Sequence, residues 1–298
     1  MAQWREQSAM KIFLFGAGYS ARAFARAIAP TAEFIGGTTR DGTKLATLDK
    51  EGIMPFLFHG THASQEITDA LETITHLVIS TSPAKTGDPV IALFGETIRR
   101  AMPKLQWIGY LSTVGVYGNH AGAWVDETTP CSPVSTRSVE RVDAEHSWQA
   151  LADARGVPLA ILRLSGIYGP GRNAFVNLTN GTARRLNKAG QVFNRIHVDD
   201  IAGALQFLSM HNQGGIFNIT DDEPAPPQDV VAYAAELMGV EPPEESDFES
   251  AQLTPMARSF YGENKRVSNK RIKSLGFTFR YPDYGTAFAA MWRDGSWR

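Results

Sequence analysis

The chain has 298 residues, of which 43% are hydrophobic and 20% charged, and its 29 basic and 31 acidic side chains give a formal net charge of −2. At roughly 100 to 200 residues per domain, this length predicts one large domain or two smaller ones. The charge balance excludes the basic surface typical of nucleic-acid-binding proteins, and no apolar run approaches the roughly 20 residues of a membrane helix. We therefore expect neither nucleic acid nor membrane as a partner.

The single cysteine, Cys131, excludes an internal disulfide bond and is typical of a reducing compartment. It stands in a proline-flanked turn without a neighbouring histidine or lysine, which argues against a reactive thiol. The first ten residues contain Arg5 and Glu6 where a signal peptide has an apolar stretch. These features predict a cytoplasmic protein.

Apolar strand-like runs alternate with helical stretches through the first half of the chain. The predicted strands are 11–15, 33–36, 54–59, 76–80, 106–112, 159–164 and 216–219. The predicted helices are 22–29, 64–73, 90–102, 139–155, 198–210 and 229–238. This alternation is typical of an α/β fold with a parallel sheet and crossover helices. Beyond residue 221 the sequence predicts irregular chain around the last of these helices, in a smaller lobe.

A glycine-rich turn follows the first predicted strand and leads into an alanine-rich helix. The sequence Gly16-Ala17-Gly18-Tyr19-Ser20-Ala21 matches the pattern G-x-G-x-x-A. Gly16 permits the tight turn, Gly18 lacks the side chain that would block a pyrophosphate, and Ala21 lets helix and strand pack closely. The helix N-terminus offers N–H groups to phosphates. We predict a dinucleotide site that includes Gly16, Gly18, Tyr19, Ser20 and Ser80.

The end of the second predicted strand bears on the choice of cofactor. NAD enzymes place an acid roughly 20 residues after the glycines, whereas this chain has Thr38, Thr39 and Arg40 there. A guanidinium favours the 2′-phosphate of NADP, and the two threonine hydroxyls are donors to the same phosphate. Alternatively, Asp41 serves NAD and Arg40 is a solvated loop charge. We predict NADP as the cofactor, with NAD as the alternative.

Further sequence blocks stand in order along the chain. They are 111–118 (LSTVGVYG), 163–172 (RLSGIYGPGR), 196–202 (IHVDDIA), 217–224 (FNITDDEP), 268–271 (SNKR) and 275–277 (LGF). Together with the glycine turn, they resemble the extended short-chain dehydrogenase/reductases, the NAD(P)-dependent epimerase/dehydratase family, over nearly the whole chain. The resemblance implies a Rossmann-like doubly wound parallel sheet at 10–168 plus 196–220. It also implies a smaller C-terminal substrate lobe at 169–195 plus 221–298.

The resemblance implies catalytic groups in two motifs, and the second motif departs from the family pattern. Thr113, four residues before Tyr117, takes the place of the hydroxyl residue that hydrogen-bonds the reacting oxygen. The family's Tyr-x-x-x-Lys pair should follow a proline-rich turn, but Arg137 occupies the tyrosine position and Arg141 the lysine position. No tyrosine stands between Tyr117 and Tyr168, so shifting the alignment does not restore the motif.

These substitutions change the chemistry, because a guanidinium with a pKa above about 12 stays protonated. Arg137 therefore cannot act as a general base. It can bind a carboxylate or phosphate through two hydrogen bonds, and Arg141 can bind a ribose hydroxyl; alternatively, both are ordinary helix-surface arginines. Tyr117 is a second acid–base candidate if a cation such as Arg137 lowers its pKa; alternatively, it packs and contacts substrate.

The remaining polar candidates concern metal and substrate. His197 with Asp199 and Asp200 is read as a helix start capped by an aspartate, so no metal is predicted. The resemblance places Ser165 next to the nicotinamide and Arg172 in the substrate cleft. A cationic pocket for phosphate or carboxylate would form if Arg172, Asn173, Arg195 and Arg266 converge.

Two functional hypotheses follow. The first is an NADP-dependent oxidoreductase or epimerase with an atypical active site, acting on a sugar-like or other anionic small molecule. The second is a catalytically silent NADP-binding protein that serves as a sensor or regulator. Both are compatible with a homodimer.

Overall fold

The structure is a computed structural model that describes residues 10–254, 258 and 260–298. Residues 1–9, on which the expectation of a missing signal peptide rests, lie outside the described residues. The strands are β1 (Met10–Phe15), β2 (Ala32–Thr39), β3 (Met54–Leu57), β4 (His76–Ile79), β5 (Trp107–Thr113), β6 (Trp124–Val125), β7 (Leu159–Leu164), β8 (Gly166–Tyr168), β9 (Arg185–Asn187), β10 (Arg195–His197), β11 (Gly215–Ile219), β12 (Glu245–Asp247) and β13 (Arg266–Val267). The helices are α1 (Tyr19–Ile28), α2 (Leu45–Lys50), α3 (Gln65–Leu71), α4 (Pro89–Arg100), α5 (Thr136–Arg155), α6 (Ala174–Thr179), α7 (Val198–Met210), α8 (Pro227–Met238), α9 (Lys270–Ser274) and α10 (Tyr284–Arg293).

Seven strands form one sheet in the order β3-β2-β1-β4-β5-β7-β11. The pairings of β1 with β2 and β4, of β2 with β3, and of β4 with β5 are parallel. This confirms the predicted α/β class and the Rossmann-like doubly wound sheet. The strand order reverses at β1, and ligands of such sheets bind outside the carboxyl ends of the strands at this point.

Large aromatic side chains fill one side of the sheet. Phe13 and Phe15 of β1 are fully buried, because a strand covered on both faces is apolar along its whole length. Their ring centroids lie 5.0 Å apart, and the ring centroid of Phe15 lies 5.4 Å from that of Phe94 in α4. A Cβ at Gly36 of β2 would lie 2.8 Å from the Phe13 ring. The glycine in β2 therefore makes room for the aromatic core.

The chain divides into two compact units. The first unit contains the described residues up to Ser112, with Val139–Leu162 and Ala202–Ile216. The second unit contains Thr113–Ser138, Arg163–Ile201 and the described residues from Phe217 onward. The predicted domain boundaries differ from this division chiefly at residues 113–138. These residues belong to the second unit because their strand β6 pairs with β13.

The second unit has its own apolar core, in which Phe175 of α6 packs against Phe288 of α10 with their ring centroids 5.1 Å apart. The sequence predicts irregular chain beyond residue 221 except for the helix at 229–238. This prediction is wrong at α10, which is a regular helix. This helix begins after Asp283, whose Oδ1 accepts the Thr286 N–H at 2.6 Å, and it buries Ala287, Phe288 and Met291.

Most of the remaining predicted elements differ from the structure only at their ends. Helix α1 begins at Tyr19, directly after the glycine turn, and α5 begins at Thr136, whereas starts at residues 22 and 139 were predicted. In the part of the chain that the structure describes, we find no helix long and apolar enough to cross a membrane.

Candidate functional site

The glycine turn joins β1 to α1 in the first unit. Gly16 has a φ of 90°, and its N–H donates to Thr38 Oγ1 at 2.8 Å. A Cβ at Gly16 would lie 3.1 Å from the backbone nitrogen of Thr81. Both the conformation and the close approach require glycine here. Thr38 is buried and its Oγ1 supports this turn, and its expected contact with a phosphate stays a prediction.

The space in front of α1 is open. Gly18 is the N-cap of α1 and provides no side-chain cap for the first N–H groups of the helix. A Cβ at Gly18 would meet no atom within 4 Å. Ser20 and Ala21 are buried, so they anchor the first turn of the helix to the sheet. An uncapped helix N-terminus facing open space suits a phosphate group.

The strands place further side chains at the same edge of the sheet. Phe15 of β1 pairs with Ile79 of β4, which pairs with Tyr110 of β5. The backbone N–H of Ser80 donates to Phe15 O at 2.8 Å, so Ser80 lies beside the glycine turn. The next residue, Thr81, has a buried Oγ1 without a hydrogen-bond partner among the described residues.

This orphaned hydroxyl is an observation that the sequence did not suggest, although its place directly after the fourth strand could have pointed to it. A buried hydroxyl without a partner costs free energy unless a ligand or water satisfies it. Together with the open space at Gly18, it fits a dinucleotide bound along this edge.

The two residues that follow β2, Arg40 and Asp41, bear on whether the site prefers NADP or NAD. Arg40 is exposed and makes no ion pair with any described residue. Asp41 is committed to its own loop, because its Oδ1 accepts the Thr43 N–H at 3.0 Å and the Thr43 hydroxyl at 2.6 Å. These hydrogen bonds lower the pKa of Asp41. Thr39 Oγ1 accepts the Asp41 N–H at 3.2 Å.

Arg141 of α5 turns toward β5 and is only partly exposed. Its Nη1 donates to Leu111 O at 2.9 Å and to the Tyr110 hydroxyl at 3.2 Å. Leu111 directly follows the residue paired with Ile79, so this guanidinium lies at the sheet edge that carries Ser80. The alternative of an ordinary helix-surface arginine does not describe Arg141.

Two buried carboxylates hold the helices near Arg141. Asp88 caps α4 by accepting the Val90 N–H at 2.8 Å, and its Oδ2 accepts Trp148 Nε1 of α5 at 3.0 Å. Burial raises the pKa of Asp88. Glu145 of α5 accepts a hydrogen bond from the Ser112 hydroxyl. The sequence did not point to either contact, because the partners stand 60 and 33 positions apart.

Tyr117 and Thr113 lie in the second unit. Tyr117 is fully buried, and its hydroxyl donates to Asn218 Oδ1 at 2.8 Å. The cation beside its ring is Arg163, at 4.9 Å from the centroid, not Arg137. Burial raises the pKa of Tyr117, the opposite of the fall that acid–base work requires. Thr113 is partly exposed, and its Oγ1 accepts the Gly115 N–H at 3.1 Å.

The other residues around this motif differ in exposure. Arg137 is exposed in the first turn of α5. Cys131 is partly buried, and its Sγ lies 3.2 Å from Nη2 of Arg163. Ser165 is buried, and its hydroxyl donates to Ile219 O at 3.3 Å.

The three arginines predicted to form a cationic pocket have different surroundings in the second unit. Arg195 Nη1 donates to Phe193 O at 2.9 Å and to Ala225 O at 3.0 Å. Arg266 donates to Gly122 O, whereas Arg172 is exposed in the turn before α6. Two of the three guanidinium groups thus hold separate backbone carbonyls, and their convergence stays a prediction.

The histidine and aspartates at the start of α7 are structural. His197 is buried, and its Nδ1 accepts the Asp199 N–H at 3.2 Å. The sequence predicts an aspartate in this role at the start of the helix. Asp200 instead accepts the backbone N–H groups of Arg280 at 2.6 Å and Tyr281 at 3.0 Å. Burial lowers the pKa of His197 to about 4. Within the described ranges, we find no cluster of three or more histidine, cysteine, aspartate or glutamate side chains that could hold a metal ion.

Comparison with known proteins gives consistent matches. The model of the NAD dependent epimerase/dehydratase family matches residues 92–220. Protein YeeZ of Escherichia coli (strain K12) is 30% identical over 287 residues, which cover 92% of this chain and 97% of that protein. The structure of a functionally unknown conserved protein from Silicibacter pomeroyi DSS is 47% identical, covers 96% of this chain and 99% of that one, and has a TM-score of 0.87.

More distant solved structures share the fold. Human epimerase family protein SDR39U1 (isoform2), solved with NADPH, is 16% identical with a TM-score of 0.72 and covers 96% of this chain and 100% of that one. At this level of identity the similarity establishes the fold alone.

Proposed function

Because the chain belongs to the NAD dependent epimerase/dehydratase family, we propose that it is an NADP-dependent oxidoreductase acting on a small anionic molecule. The observation that carries the proposal is the open glycine turn at Gly18, one strand away from the exposed guanidinium of Arg40. When bound, a nicotinamide dinucleotide supplies hydride-transfer chemistry that amino-acid side chains lack. The chain's own residues would bind the cofactor, orient the substrate and distinguish NADP from NAD.

Four groups of the first unit would hold the dinucleotide. The N–H groups at the start of α1 and the open space at Gly18 suit the pyrophosphate. The Thr81 hydroxyl supplies a hydrogen bond that no described residue now uses. Arg40 suits the 2′-phosphate, and Arg141, at the lysine position of the family motif, suits a ribose hydroxyl.

The contrast between Arg40 and Asp41 supports NADP over NAD. An NAD site needs a carboxylate free to accept the ribose hydroxyls. Asp41 already accepts two hydrogen bonds from Thr43 and lies 3.7 Å from Lys44 Nζ. Arg40 has no ion pair with any described residue, so its guanidinium is available to a 2′-phosphate.

The arginine at the tyrosine position supports an anionic substrate. Arg137 cannot exchange a proton at neutral pH, and the buried, hydrogen-bonded Tyr117 has a raised pKa. Neither side chain thus provides the proton transfer of the family's tyrosine. An exposed guanidinium can instead orient a carboxylate or phosphate, while the partly exposed Thr113 hydroxyl offers one hydrogen bond to the reacting oxygen.

The test measures cofactor binding and turnover separately. Calorimetry should give a lower Kd for NADPH than for NADH, and NADPH oxidation should be detectable with some member of a panel of carboxylate- or phosphate-bearing carbonyl compounds. Equal affinities for the two cofactors would refute the NADP assignment. Tight NADPH binding without turnover of any panel member would instead support the alternative of a silent NADP-binding protein.

A homodimer and a cytoplasmic location belong to the same proposal. Light scattering of the purified protein and cell fractionation would test them.

A further inference from the structure

The second unit contains a cavity of about 320 Å³ that the proposed function does not use. Its walls include Trp124, Asp221, Asp222, Asn269, Lys270 and Lys273. Small-molecule sites span roughly 300 to 1,000 Å³, so the cavity accommodates a single ring with a small substituent.

Trp124 gives the cavity a flat apolar wall. Its side chain is 61% exposed in the short strand β6. Tryptophan has the largest apolar surface of the side chains, and this surface is stabilised when another ring packs on it. The exposed indole therefore favours a planar ligand over a compact or branched one.

The charges on the wall sum to a surplus of positive charge. Lys273 Nζ lies 3.0 and 2.9 Å from the two carboxylate oxygens of Asp222. Asn269 Nδ2 donates to the same carboxylate at 2.7 Å, so Asp222 is neutralised and held in place. Lys270 is exposed and has no ion pair with any described residue. Its ammonium group is the charge left for a ligand.

Asp221 does not cancel this charge. It is 1% exposed, its Oδ1 accepts the Glu223 N–H at 3.2 Å, and its Oδ2 has no partner among the described residues. Burial raises the pKa of Asp221 to about 8, so the carboxyl group keeps its proton at neutral pH. A neutral carboxyl group does not repel an anion.

We propose that this cavity binds a small planar monoanion of the aromatic carboxylate class, with the ring on Trp124 and the carboxylate on Lys270. The site is built entirely from residues of the second unit and does not depend on the proposed oxidoreductase activity.

Fluorine NMR with 4-fluorobenzoate tests the site on the full chain, first without cofactor and then with added NADPH. The neutral 4-fluorobenzyl alcohol and the cationic 4-fluorobenzylamine are charge controls. We expect the carboxylate to bind about tenfold more tightly than the alcohol, the difference that one charge-assisted hydrogen bond supplies. The Lys270→Gln variant should remove this preference, and Trp124→Leu should weaken binding of both the carboxylate and the alcohol.

The matched control is Lys104→Gln, which changes an exposed lysine of the first unit and should leave binding as in the wild type. Lys270 and Trp124 are both exposed, so their variants should keep the wild-type circular dichroism. Three results would each overturn the proposal: no line broadening of 4-fluorobenzoate by the wild type, unchanged affinity in Lys270→Gln, or displacement of the carboxylate by NADPH.

Discussion

Arg40 and Asp41 are adjacent in the chain but differ in what they can offer a ligand. Because Arg40 is exposed and Asp41 is bonded to Thr43, we expect Arg40→Ala to weaken NADPH binding and leave NADH binding nearly unchanged. A charge-assisted hydrogen bond is worth about 1.5 to 3 kcal/mol, which corresponds to a loss of roughly 10- to 100-fold. Calorimetry with both cofactors measures the change.

The control for this variant is Arg26→Ala, which removes an exposed arginine from the last turn of α1. It changes the net charge equally but lies far along the helix from the glycine turn. If the two variants weaken NADPH binding equally, the effect comes from net charge and not from a 2′-phosphate contact at Arg40.

The buried hydroxyl of Thr81 gives a second test at this scale. Valine has nearly the shape of threonine, so Thr81→Val removes the orphaned Oγ1 without opening a cavity. We expect a higher Kd for both NADPH and NADH by about 5- to 10-fold, the effect of one hydrogen bond of about 1 kcal/mol or slightly more. Thr86→Val, an exposed position in the same loop, should have no effect. An unchanged Kd in Thr81→Val would mean that the hydroxyl does not contact the cofactor.

Single residues were predictable from sequence where backbone geometry selects the residue type. Gly16 needs a positive φ and a close approach to Thr81, and only glycine meets both demands. The contact of Arg141 with Leu111 and that of Asp88 with Trp148 were not predictable, because the partners lie 30 and 60 positions apart in the chain.

At the scale of elements, α5 carries the two arginines at which the sequence predicts a departure from the family's Tyr-x-x-x-Lys motif. Arg137 lies in the exposed first turn of this helix, and Arg141, one turn later, donates to Leu111 O. We expect the wild type to turn over common nucleotide sugars about 100- to 10,000-fold more slowly than a tyrosine-dependent enzyme, the usual cost of losing acid–base catalysis. Steady-state kinetics with NADP(H) measure this rate.

The double variant Arg137→Tyr with Arg141→Lys restores the residues of the family motif on the same helix. If the double variant turns over these sugars faster than the wild type, the slow rate of the wild type is due to the lack of a tyrosine proton donor. Family-like turnover by the wild type itself would contradict the prediction, and Tyr117→Phe would then show whether Tyr117 supplies the proton.

Elements with strong periodicity were predictable, and those held by tertiary pairing were not. The seven strands of the main sheet follow from apolar runs such as β1 and β7. The two-residue strands β6 and β13 exist only because they pair with each other. Helix α10 did have a local signal, because the cap Asp283 precedes Ala287, Phe288 and Met291 at spacings that lie on one helix face.

At the scale of the whole molecule, His76 links stability to pH. Its ring is buried at the start of β4, and burial lowers its pKa from 6.5 to about 4. Between these values the unfolded chain binds a proton that the folded chain does not. The contribution of His76 is therefore complete above pH 6.5 and is lost as the pH falls toward 4, with a total of about 3 kcal/mol.

Urea denaturation of the wild type and of His76→Gln between pH 7 and pH 4.5 tests this assignment. The free energy of unfolding should fall more steeply with decreasing pH in the wild type than in the variant. Comparison of the two chains cancels the titration of the other buried groups, which they share. Parallel pH profiles would rule out His76 as a source of acid sensitivity.

Asp88 has a consequence for how the molecule opens. One carboxylate caps α4 through Oδ1 and also accepts the indole N–H of Trp148 in α5 through Oδ2, so the two helices cannot separate without breaking this shared contact. The amide protons of α4 and of the Trp148 region of α5 should therefore exchange with deuterium in a single concerted event with a common opening free energy. In Asp88→Ala the two sets of amides should separate, with α4 exchanging first at its N-terminus.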